Sequence, residues 1–359
     1  MGTDLRNQCH TVLSGHTPTS PATLFQQMAD WCSENRIEHD MYGEGDLIQG
    51  FEQKVADLLG FESGLFVITG TMTQPTALQL ACHERNNPVV AMHPSSHIYL
   101  RERQGYQVQQ RFTVLPVGDP HKTWTLDDLQ HWPDDISVVL YELPMREIGG
   151  QLPKWDDLQA IKDHCQSNNI HLHMDGARLW ECKAYYQREY KQIASGFDSV
   201  YVSLYKGLNG LGGSLLLGNK AYIEKARYAM MRQGGNVYRR SPYVVAAAMQ
   251  FEQQLGQMPA YFERTQELYA LLERYPRFTA NPEQPHTNML HLYLPVSVSR
   301  VQALRDKLAK EQQIWLGSPQ SAPLKNQCFL EWYVGGALTA MPNEQLISIL
   351  DWLNEQLSQ

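Results

Sequence analysis

The stretch that decides the fold is IHLHMDGAR, residues 170–178. Its apolar start predicts a strand at 170–174, and Asp175 and Gly176 follow at the point where that strand ends. A second apolar strand is predicted at 199–204, with the glycine-rich turn KGLNGLGG (206–213) behind it. In open parallel sheets a ligand lies beyond the carboxyl ends of the strands, so residues in these positions are the first candidates for a functional site.

Helix and strand patterns alternate on both sides of this stretch, from about residue 50 onward. The helix predicted at 51–59 ends at Gly60, a residue that suits the end of a helix, and another helix begins after Pro153. The other predicted strands are at 65–68, 89–92, 108–115, 137–141 and 214–217, and the other predicted helices are at 72–82, 221–233, 242–254 and 261–275. This alternation predicts an α/β fold, in which a mostly parallel seven-stranded sheet of a large domain is covered by helices.

The pattern changes near Thr287. Two strands, at 289–294 and 329–334, are interleaved with helices at 299–311 and 343–357. Such an order predicts a smaller C-terminal α+β domain. We therefore expect three parts along the chain, namely an N-terminal segment (1–48), a large domain (49–255) and a small domain (256–359).

Composition excludes several classes of protein. The chain has 359 residues, and 30 Lys and Arg against 38 Asp and Glu give a formal charge of −8. Apolar residues make up 43% of the chain, which is enough for a packed core and excludes a disordered protein. No long basic run occurs, so we expect no nucleic-acid partner and no binding to an anionic membrane. Apolar runs such as residues 215–217 are far shorter than the ~20 residues that cross a bilayer.

The N-terminus and the cysteines bear on location. Residues 1–20 are polar and lack the basic-then-apolar order of a secretory signal, so we expect a cytoplasmic protein. The six cysteines are scattered without a C-x-x-C pair. That spacing argues against a disulfide framework and against a thiolate zinc site, and we expect the thiols to be packing residues.

Two strand ends carry residues suited to charged ligands. The turn TGTMTQ (69–74) follows the strand at 65–68, and Gly70 and Thr71 at a helix start offer backbone amides and a hydroxyl to a phosphate. The alternative is a capped helix start without a ligand. Asp175 can hold a cationic ring nitrogen or a metal ion, and the alternative is a turn residue that caps the next helix.

His171, His173 and Asp175 fall at every second position and therefore share one face of a strand. A metal site made by these three residues is a further alternative. A strand covered on both faces would bury all three, and no other histidine-rich segment stands at a strand end to complete the ligand set. A structural role for His171 is the expectation we favour.

Three other strand ends carry a lysine, a histidine and an arginine. Lys206 lies in a glycine-rich turn between two apolar strands, where loss of water favours the neutral amine that forms Schiff bases. His97 follows the strand at 89–92 and can stack on a flat cofactor or move a proton. Arg146 follows the strand at 137–141 and can bind a substrate carboxylate through two parallel hydrogen bonds. The alternatives are a solvated turn lysine at position 206 and an Arg146 that only pairs with Glu147 or Glu142.

Together these segments resemble pyridoxal-phosphate enzymes of the aspartate-aminotransferase fold, also called fold type I. More specifically, they are similar to the threonine aldolase and β-eliminating lyase family. The resemblance runs from about Tyr42 to Ala248, in the family's order and spacing. The segments that carry it are MYGE (41–44), TGT (69–71), HMDGARL (173–179), KGL (206–208) and GSLLLG (213–218).

The resemblance implies pyridoxal 5'-phosphate as cofactor and gives the matching residues their roles. Lys206 would form the Schiff base, Asp175 would pair with the pyridinium nitrogen, and His97 would stack on the ring. Catalysis is thus expected from Lys206, His97 and Asp175. The residues expected to bind the cofactor are Gly70, Thr71, His97, Asp175, Arg178, Ser203 and Lys206.

The resemblance also implies a homodimer or homotetramer, with the N-terminal segment packed on the dimer and on the small domain. Tyr42 would then reach the active site of the partner subunit. The expected activity is that of a lyase on a small amino acid with a β-hydroxyl or other β-substituent, by retro-aldol cleavage or β-elimination.

Two departures from the family concern the substrate. The family places an arginine in a late C-terminal strand to bind the substrate carboxylate, whereas this chain reads FLEWYVGG at 329–336. Aldolases have a Thr-His pair in the loop after the strand at 137–141, where this chain has Pro144, Met145 and Arg146. Arg178 or Arg146 is therefore expected to bind the carboxylate. The alternatives are an aminotransferase of the same fold, a non-catalytic pyridoxal-phosphate protein and, more distantly, a metal-dependent hydrolase.

Overall fold

The structure, a computed structural model, describes residues 2–108 and 111–358. The chain divides into two compact units. One consists of residues 20–147 and 151–256, and the other of the residues up to 19, residues 148–150 and the residues from 257 onward. Residues 20–48, expected to form part of an N-terminal segment, belong to the first of these units, which we call the large unit.

The elements of both units follow in chain order. The strands of the described residues are β1 (Thr11–Val12), β2 (Ser63–Val67), β3 (Val89–Met92), β4 (Thr113–Pro116), β5 (Val138–Glu142), β6 (His171–Asp175), β7 (Ser199–Ser203), β8 (Ser214–Gly218), β9 (Thr279–Asn281), β10 (Met289–Leu294), β11 (Ile314–Trp315), β12 (Pro319–Ser321) and β13 (Cys328–Tyr333). The α-helices are α1 (Gly2–Asn7), α2 (Pro21–Asn35), α3 (Asp46–Leu59), α4 (Gly70–Arg85), α5 (His97–Arg101), α6 (Leu126–Gln130), α7 (Trp155–Ser167), α8 (Lys183–Tyr186), α9 (Tyr190–Ala194), α10 (Lys220–Met230), α11 (Ser241–Ala248), α12 (Phe251–Leu272), α13 (Val298–Gln312), α14 (Gly336–Thr339) and α15 (Asn343–Gln356).

The large unit contains a seven-stranded sheet in the order β2-β8-β7-β6-β5-β3-β4. The pairs from β7 through β6, β5 and β3 to β4 are parallel, whereas β8 runs antiparallel to β7 and to β2. The predicted fold class, a mostly parallel seven-stranded sheet with helices and a smaller C-terminal region, is confirmed. Because β2, β3, β5, β6 and β7 all run the same way, the residues that follow them lie along one edge of the sheet.

The central strands are buried over their whole length, which explains their composition. Strands β5, β6, β7 and β8 contain only buried residues, as expected for a sheet covered on both faces. The sequence VVLYE of β5 is rich in the β-branched and aromatic residues that pack well on a pleated surface. No helix of the described residues is long and apolar enough to cross a membrane.

The second unit contains a four-stranded antiparallel sheet in the order β12-β13-β10-β9. Strands β10 and β13 pair over six residues each, from Met289 opposite Tyr333 to Leu294 opposite Cys328. Within this unit β1 and β11 form a short parallel pair. The core of the unit is a cluster of buried apolar residues that includes Trp332 and Leu350.

The structure corrects one strand and two helices. A strand was predicted at 108–115, but β4 covers only Thr113–Pro116, Val108 is exposed, and residues 109 and 110 lie outside the described residues. The polar residues around Val108 provide no apolar face that a sheet could bury. Helices were predicted at 242–254 and 261–275, with a gap that contains Gly256 and Pro259. The structure instead ends α11 at Ala248 and continues α12 from Phe251 through both residues.

Candidate active site

The predicted residues meet at the carboxyl edge of the large sheet, around a cavity of about 270 Å³. Its lining includes five of the predicted residues, namely Gly70, Thr71, His97, Asp175 and Lys206. Each lies at or just after the end of a different strand or at a helix start, as the position of a ligand in such folds requires. The lining also includes residues for which no role was predicted, namely Gln74, Glu102, Tyr201, Tyr205 and Leu211.

The turn after β2 presents the start of a helix to the cavity. Thr69 caps α4, and its side chain accepts a hydrogen bond from the backbone N–H of Met72 at 3.2 Å. The first amides of a helix have no partner within it, and they favour an anion such as phosphate. Gly70 is needed here because a Cβ atom at this position would lie only 2.8 Å from Cζ of Tyr201 and would collide with that side chain.

Asp175 is the buried acid at the end of β6. Its Oδ2 accepts a hydrogen bond from Gln74 Nε2 at 2.9 Å, and its Oδ1 accepts one from the backbone N–H of Ala177 at 3.1 Å. The amide oxygen of Gln74 is buried and has no hydrogen-bond partner among the described residues. A buried polar atom without a partner beside a fixed carboxylate fits a ligand that brings a hydrogen-bond donor.

Lys206 lies in the turn after β7, and its amine is largely desolvated. Burial lowers the pKa of Lys206, against the raising effect of the negative charge on Asp175, while the positive charge on Arg178 lowers it further. The ring of Tyr205 lies beside this amine, with 5.8 Å between Nζ and the ring centroid. A lowered pKa increases the fraction of neutral amine, and the neutral amine is the form that attacks an aldehyde.

The turn that carries Lys206 is closed by glycine. Gly213 has φ +84°, and a Cβ atom there would lie 2.5 Å from the ring of Phe66. Glycine is therefore required both by the backbone conformation and by the close packing. This requirement explains why the segment between two apolar strands is rich in glycine.

His97 begins α5, and two carboxylates hold it. Its Nδ1 lies 3.5 Å from Glu102 Oε1, and this contact raises the pKa of His97. Its backbone N–H donates a hydrogen bond to Glu142 Oε2 at 3.1 Å. The side chain of Glu102 is buried, and its Oε2 has no hydrogen-bond partner among the described residues.

The two candidate substrate arginines lie next to carboxylates of their own. Arg178 Nη1 lies 3.3 Å from Glu181 Oε1. Arg146 Nη1 lies 2.8 Å from Glu147 Oε1, and Arg101 contacts the same carboxylate at 2.5 Å. Neither Arg178 nor Arg146 belongs to the residues that line the cavity.

Two other predicted residues, Ser203 and Tyr42, do not line the cavity. Ser203 is fully buried at the end of β7 and does not line the cavity. Tyr42 is exposed in the segment before α3, and its ring packs edge-on against Tyr238 with 5.1 Å between the centroids. It lines a separate pocket together with Arg227 and Arg240.

The alternative metal site is not assembled. The rings of His171 and His173 both contact the hydroxyl of Ser199, at 2.7 Å each, and burial lowers the pKa of His173 to about 4. Asp175 instead faces Gln74. No group of three or more His, Cys, Asp or Glu side chains that could hold a metal ion occurs in residues 2–108 and 111–358.

Sequence reasoning gave no role to Gln74 or Glu102, and it considered Glu142 only as an alternative partner of Arg146. Gln74 comes four positions, or about one helical turn, after Gly70. The helical period therefore already placed Gln74 on the same face of α4 as Gly70. Glu142 ends a buried strand as Asp175 does, and the rule that pointed to Asp175 also applied to it. Glu102 follows His97 in a segment of irregular pattern, and we find no sequence signal that reveals its contact.

The sequence model of the β-eliminating lyase family matches residues 20–294, which is most of the chain. The chain therefore belongs to this family of pyridoxal-phosphate-dependent lyases, and the predicted family and cofactor are confirmed. Within the family the similarity is to threonine aldolases. A low-specificity L-threonine aldolase of Saccharomyces cerevisiae is 30% identical over 243 residues, which cover 65% of this chain and 59% of the yeast protein.

Solved structures agree along nearly the whole chain. A candidate L-allo-threonine aldolase from Listeria monocytogenes is 34% identical, with a TM-score of 0.92 and 99% of both chains covered. A candidate aromatic amino acid β-eliminating lyase/threonine aldolase from an Exiguobacterium species is 32% identical, with a TM-score of 0.92, and covers 98% of this chain and 99% of that one. The first curated relatives are covered over less of their length, 59% for the yeast protein and 53% for the one from Eremothecium gossypii.

Proposed function

We propose that the chain is a pyridoxal-phosphate-dependent lyase that cleaves a small α-amino acid carrying a β-hydroxyl or other β-substituent. The observation that carries the proposal is the placement of the Lys206 amine, with its lowered pKa, in one cavity with Asp175 and the Gly70 helix start. The similarity to threonine aldolases supports retro-aldol cleavage as the first reaction to test, and the family supports β-elimination as the second.

Each residue of the candidate site has a defined task in this proposal. When bound, the cofactor supplies a conjugated ring that withdraws electrons from the Cα atom of the substrate. Lys206 would supply the amine that bonds the cofactor and would move a proton at the substrate Cα. Asp175, which accepts a hydrogen bond from Gln74, would pair with the ring nitrogen and favour its protonated form. His97 would contact the ring, and the amides of Gly70 and Thr71 would hold the phosphate.

The substrate carboxylate needs a cation once it leaves water. We assign the binding of this carboxylate to Arg178, with Arg146 as the alternative. The side chain of Arg178 is 13% exposed and that of Arg146 is 27% exposed, so Arg178 is the more sheltered of the two. Both positive charges lower the pKa of Lys206, which supports their closeness to the reacting amine.

The proposal includes a homodimer or homotetramer in the cytoplasm. Apolar side chains that a monomer would leave in water support the assembly, since Met41, Tyr42 and Tyr238 are each about half exposed. In the dimer Tyr42 contributes to the active site of the partner subunit. The free cysteines of the described residues are in keeping with a reducing compartment.

One experiment separates the proposed lyase from its alternatives. The purified protein is tested for absorbance of bound cofactor, and β-hydroxy and other β-substituted amino acids are then supplied one at a time. Release of glycine with an aldehyde indicates retro-aldol cleavage, and release of a keto acid with ammonia indicates β-elimination. Conversion that stops after one turnover unless a keto-acid acceptor is added indicates an aminotransferase. Bound cofactor without any product from the whole panel would contradict a catalytic role.

A further inference from the structure

Glu142 connects two segments of the site through one carboxylate. It is the last residue of β5, and it is buried. The backbone N–H of His97 donates a hydrogen bond to its Oε2 at 3.1 Å, and the backbone N–H of Arg146 donates one to its Oε1 at 3.0 Å. Each oxygen therefore holds a different stretch of chain, the start of α5 on one side and the turn after β5 on the other.

We infer that Glu142 is a positioning residue that ties the backbone at His97 to the backbone at Arg146. Glu142 does not line the cavity, whereas His97 does, so the carboxylate acts through the residues it holds. Any effect on catalysis rests on the proposed function. The tie itself is a property of the fold and can be observed without a reaction.

The tie depends on the charge of the carboxyl group. A carboxylate accepts hydrogen bonds at both oxygens, whereas a carboxylic acid carries a proton on one of them. Protonation of Glu142 is therefore expected to weaken the bond that the protonated oxygen accepts from the backbone. Burial, followed by the negative charge of Asp175, raises the pKa of Glu142 to about 7, so the change falls near neutral pH.

Charged groups from each neighbouring element bear on that titration. Asp175 is the cross-strand neighbour of Glu142 on β6. His97 at the start of α5 and the two backbone amides lower the pKa of Glu142. Lys206, in the turn after β7, and Glu142 also interact electrostatically. These opposing effects all act on the pKa of Glu142, the residue that accepts both backbone hydrogen bonds.

The test is a pH titration followed at two backbone amides. The holoenzyme is labelled with ¹⁵N-histidine and ¹⁵N-arginine, and the signals of His97 and Arg146 are assigned by their loss in His97→Asn and Arg146→Lys. The Arg146 amide shift is expected to titrate with a midpoint at about 7. The His97 amide shift should include a component with this same midpoint, beside the titration of its own imidazole, whose pKa the contact with Glu102 raises. In Glu142→Gln the Arg146 amide should not titrate at that pH, and the His97 amide should keep only the titration of its own imidazole. Glu52→Gln is the matched control, because Glu52 is also buried, has a pKa raised to about 7 and accepts a backbone N–H, that of Phe66.

Several outcomes would overturn the inference. They are the absence of a midpoint that both amides share, a titration of the Arg146 amide that persists in Glu142→Gln, and an equal loss of the shared titration in Glu52→Gln. If Glu142→Gln does not fold, Glu142→Asp replaces it. Aspartate keeps the charge but is one methylene shorter, so at least one of the two amides should lose the shared titration, and an unchanged shared titration at both amides contradicts the tie. Because no reaction is measured, failure of the proposed function leaves this test intact.

A second measurement asks whether the tie matters for catalysis. For the best substrate, kcat/KM is expected to fall as the pH drops through about 7, and Glu142→Gln should remove this acid limb. At pH values above the midpoint the same variant should lower kcat/KM about 10- to 100-fold, the effect of one lost hydrogen bond to a charged group. An acid limb that is the same in Glu142→Gln and in Glu52→Gln would contradict the positioning role.

Discussion

On the cofactor side of the site, the residues that line the cavity present polar atoms to it directly. Asp175 is fixed by Gln74, and the Lys206 amine lies in the same cavity. On the proposed substrate side, Arg178 and Arg146 each contact a carboxylate of their own chain, Glu181 and Glu147. The proposed cofactor side thus presents polar atoms to the cavity, whereas the proposed substrate side is engaged in ion pairs.

This difference separates what a fold provides from what a substrate must provide. Strand ends and a helix start hold the cofactor side, and they exist whether or not a ligand is present. If Arg178 or Arg146 binds the substrate carboxylate as proposed, that carboxylate approaches a guanidinium that already contacts Glu181 or Glu147. The proposed substrate side therefore starts from ion pairs, whereas the proposed cofactor side starts from positions that packing sets. The predictions below test each side, and the largest expected effect comes first.

Lys206→Ala is expected to abolish catalysis while the fold remains intact. A single amine bonds the cofactor, and alanine has none. After borohydride treatment, mass spectrometry should find the cofactor on Lys206 of the unmodified sequence and no label in the variant. Lys220→Ala, which removes an exposed lysine at the start of α10, is the control and should keep both label and activity. A label on Lys183, Lys191 or Lys220 would show that the site has been placed wrongly.

Asp175→Asn is expected to keep the cofactor bound and to lower kcat about 100-fold or more, as for other lost electrostatic stabilisers. The amide cannot stabilise a protonated ring nitrogen, although it can still contact Gln74. The measurements are cofactor absorbance and kcat for the best substrate. Asp163→Asn, the same change at an exposed position of α7, serves as the control. Near-normal turnover of Asp175→Asn would remove the role of this carboxylate.

Arg178→Ala is expected to lower kcat/KM about 30- to 1,000-fold, or ~2 to 4 kcal/mol, because a charge-assisted contact with the substrate carboxylate is lost. Arg178→Lys should also suffer, since a point charge does not reproduce the planar guanidinium. Steady-state kinetics with an amino acid and with its amide, which lacks the carboxylate, provide the measurement. If Arg178→Ala affects both compounds equally, Arg178 does not bind the carboxylate.

Arg146→Ala is expected to change kcat/KM within about threefold, under ~1 kcal/mol, because Arg146 and Arg101 share the carboxylate of Glu147. The same pair of compounds is measured. A loss of 30-fold or more that is specific for the carboxylate would transfer the role from Arg178 to Arg146. The comparison of the two arginines thus decides which ion pair the substrate opens.

How much of the fold and of the candidate site could be predicted depends on whether the sequence pattern that indicates each feature is local. Strand β3 and strand β10 were predicted with the bounds that the structure shows, because short apolar runs between turns are local patterns. Asp175 and Lys206 could be proposed because each directly follows such a run. The contact of Gln74 with Asp175 spans 101 positions of sequence, so no local pattern contains it.

The N-terminal region shows the opposite case, a local signal that was available and unused. Helix α2 begins after Ser20, whose side chain accepts a hydrogen bond from the backbone N–H of Thr23, and Pro21 occupies the first turn. Serine before proline is a typical helix start. The region around Val108 lacked any such signal, and the predicted strand there proved too long.

The last prediction concerns two glycines, and it tests whether the cofactor side is held by packing. Gly70→Ala is expected to weaken cofactor binding about tenfold, or ~1.4 kcal/mol, because the new Cβ collides with Tyr201 and displaces the start of α4 from the phosphate. Gly50→Ala, within α3, meets nothing within 4 Å and should leave the Kd for the cofactor unchanged. It should also raise the free energy of unfolding by about 0.5 to 1 kcal/mol, since alanine favours the helix over glycine. Fluorescence titration of the apoprotein with the cofactor and denaturant unfolding provide the two measurements. If Gly70→Ala binds the cofactor as tightly as Gly50→Ala does, the close approach of the backbone at residue 70 is not what holds the phosphate.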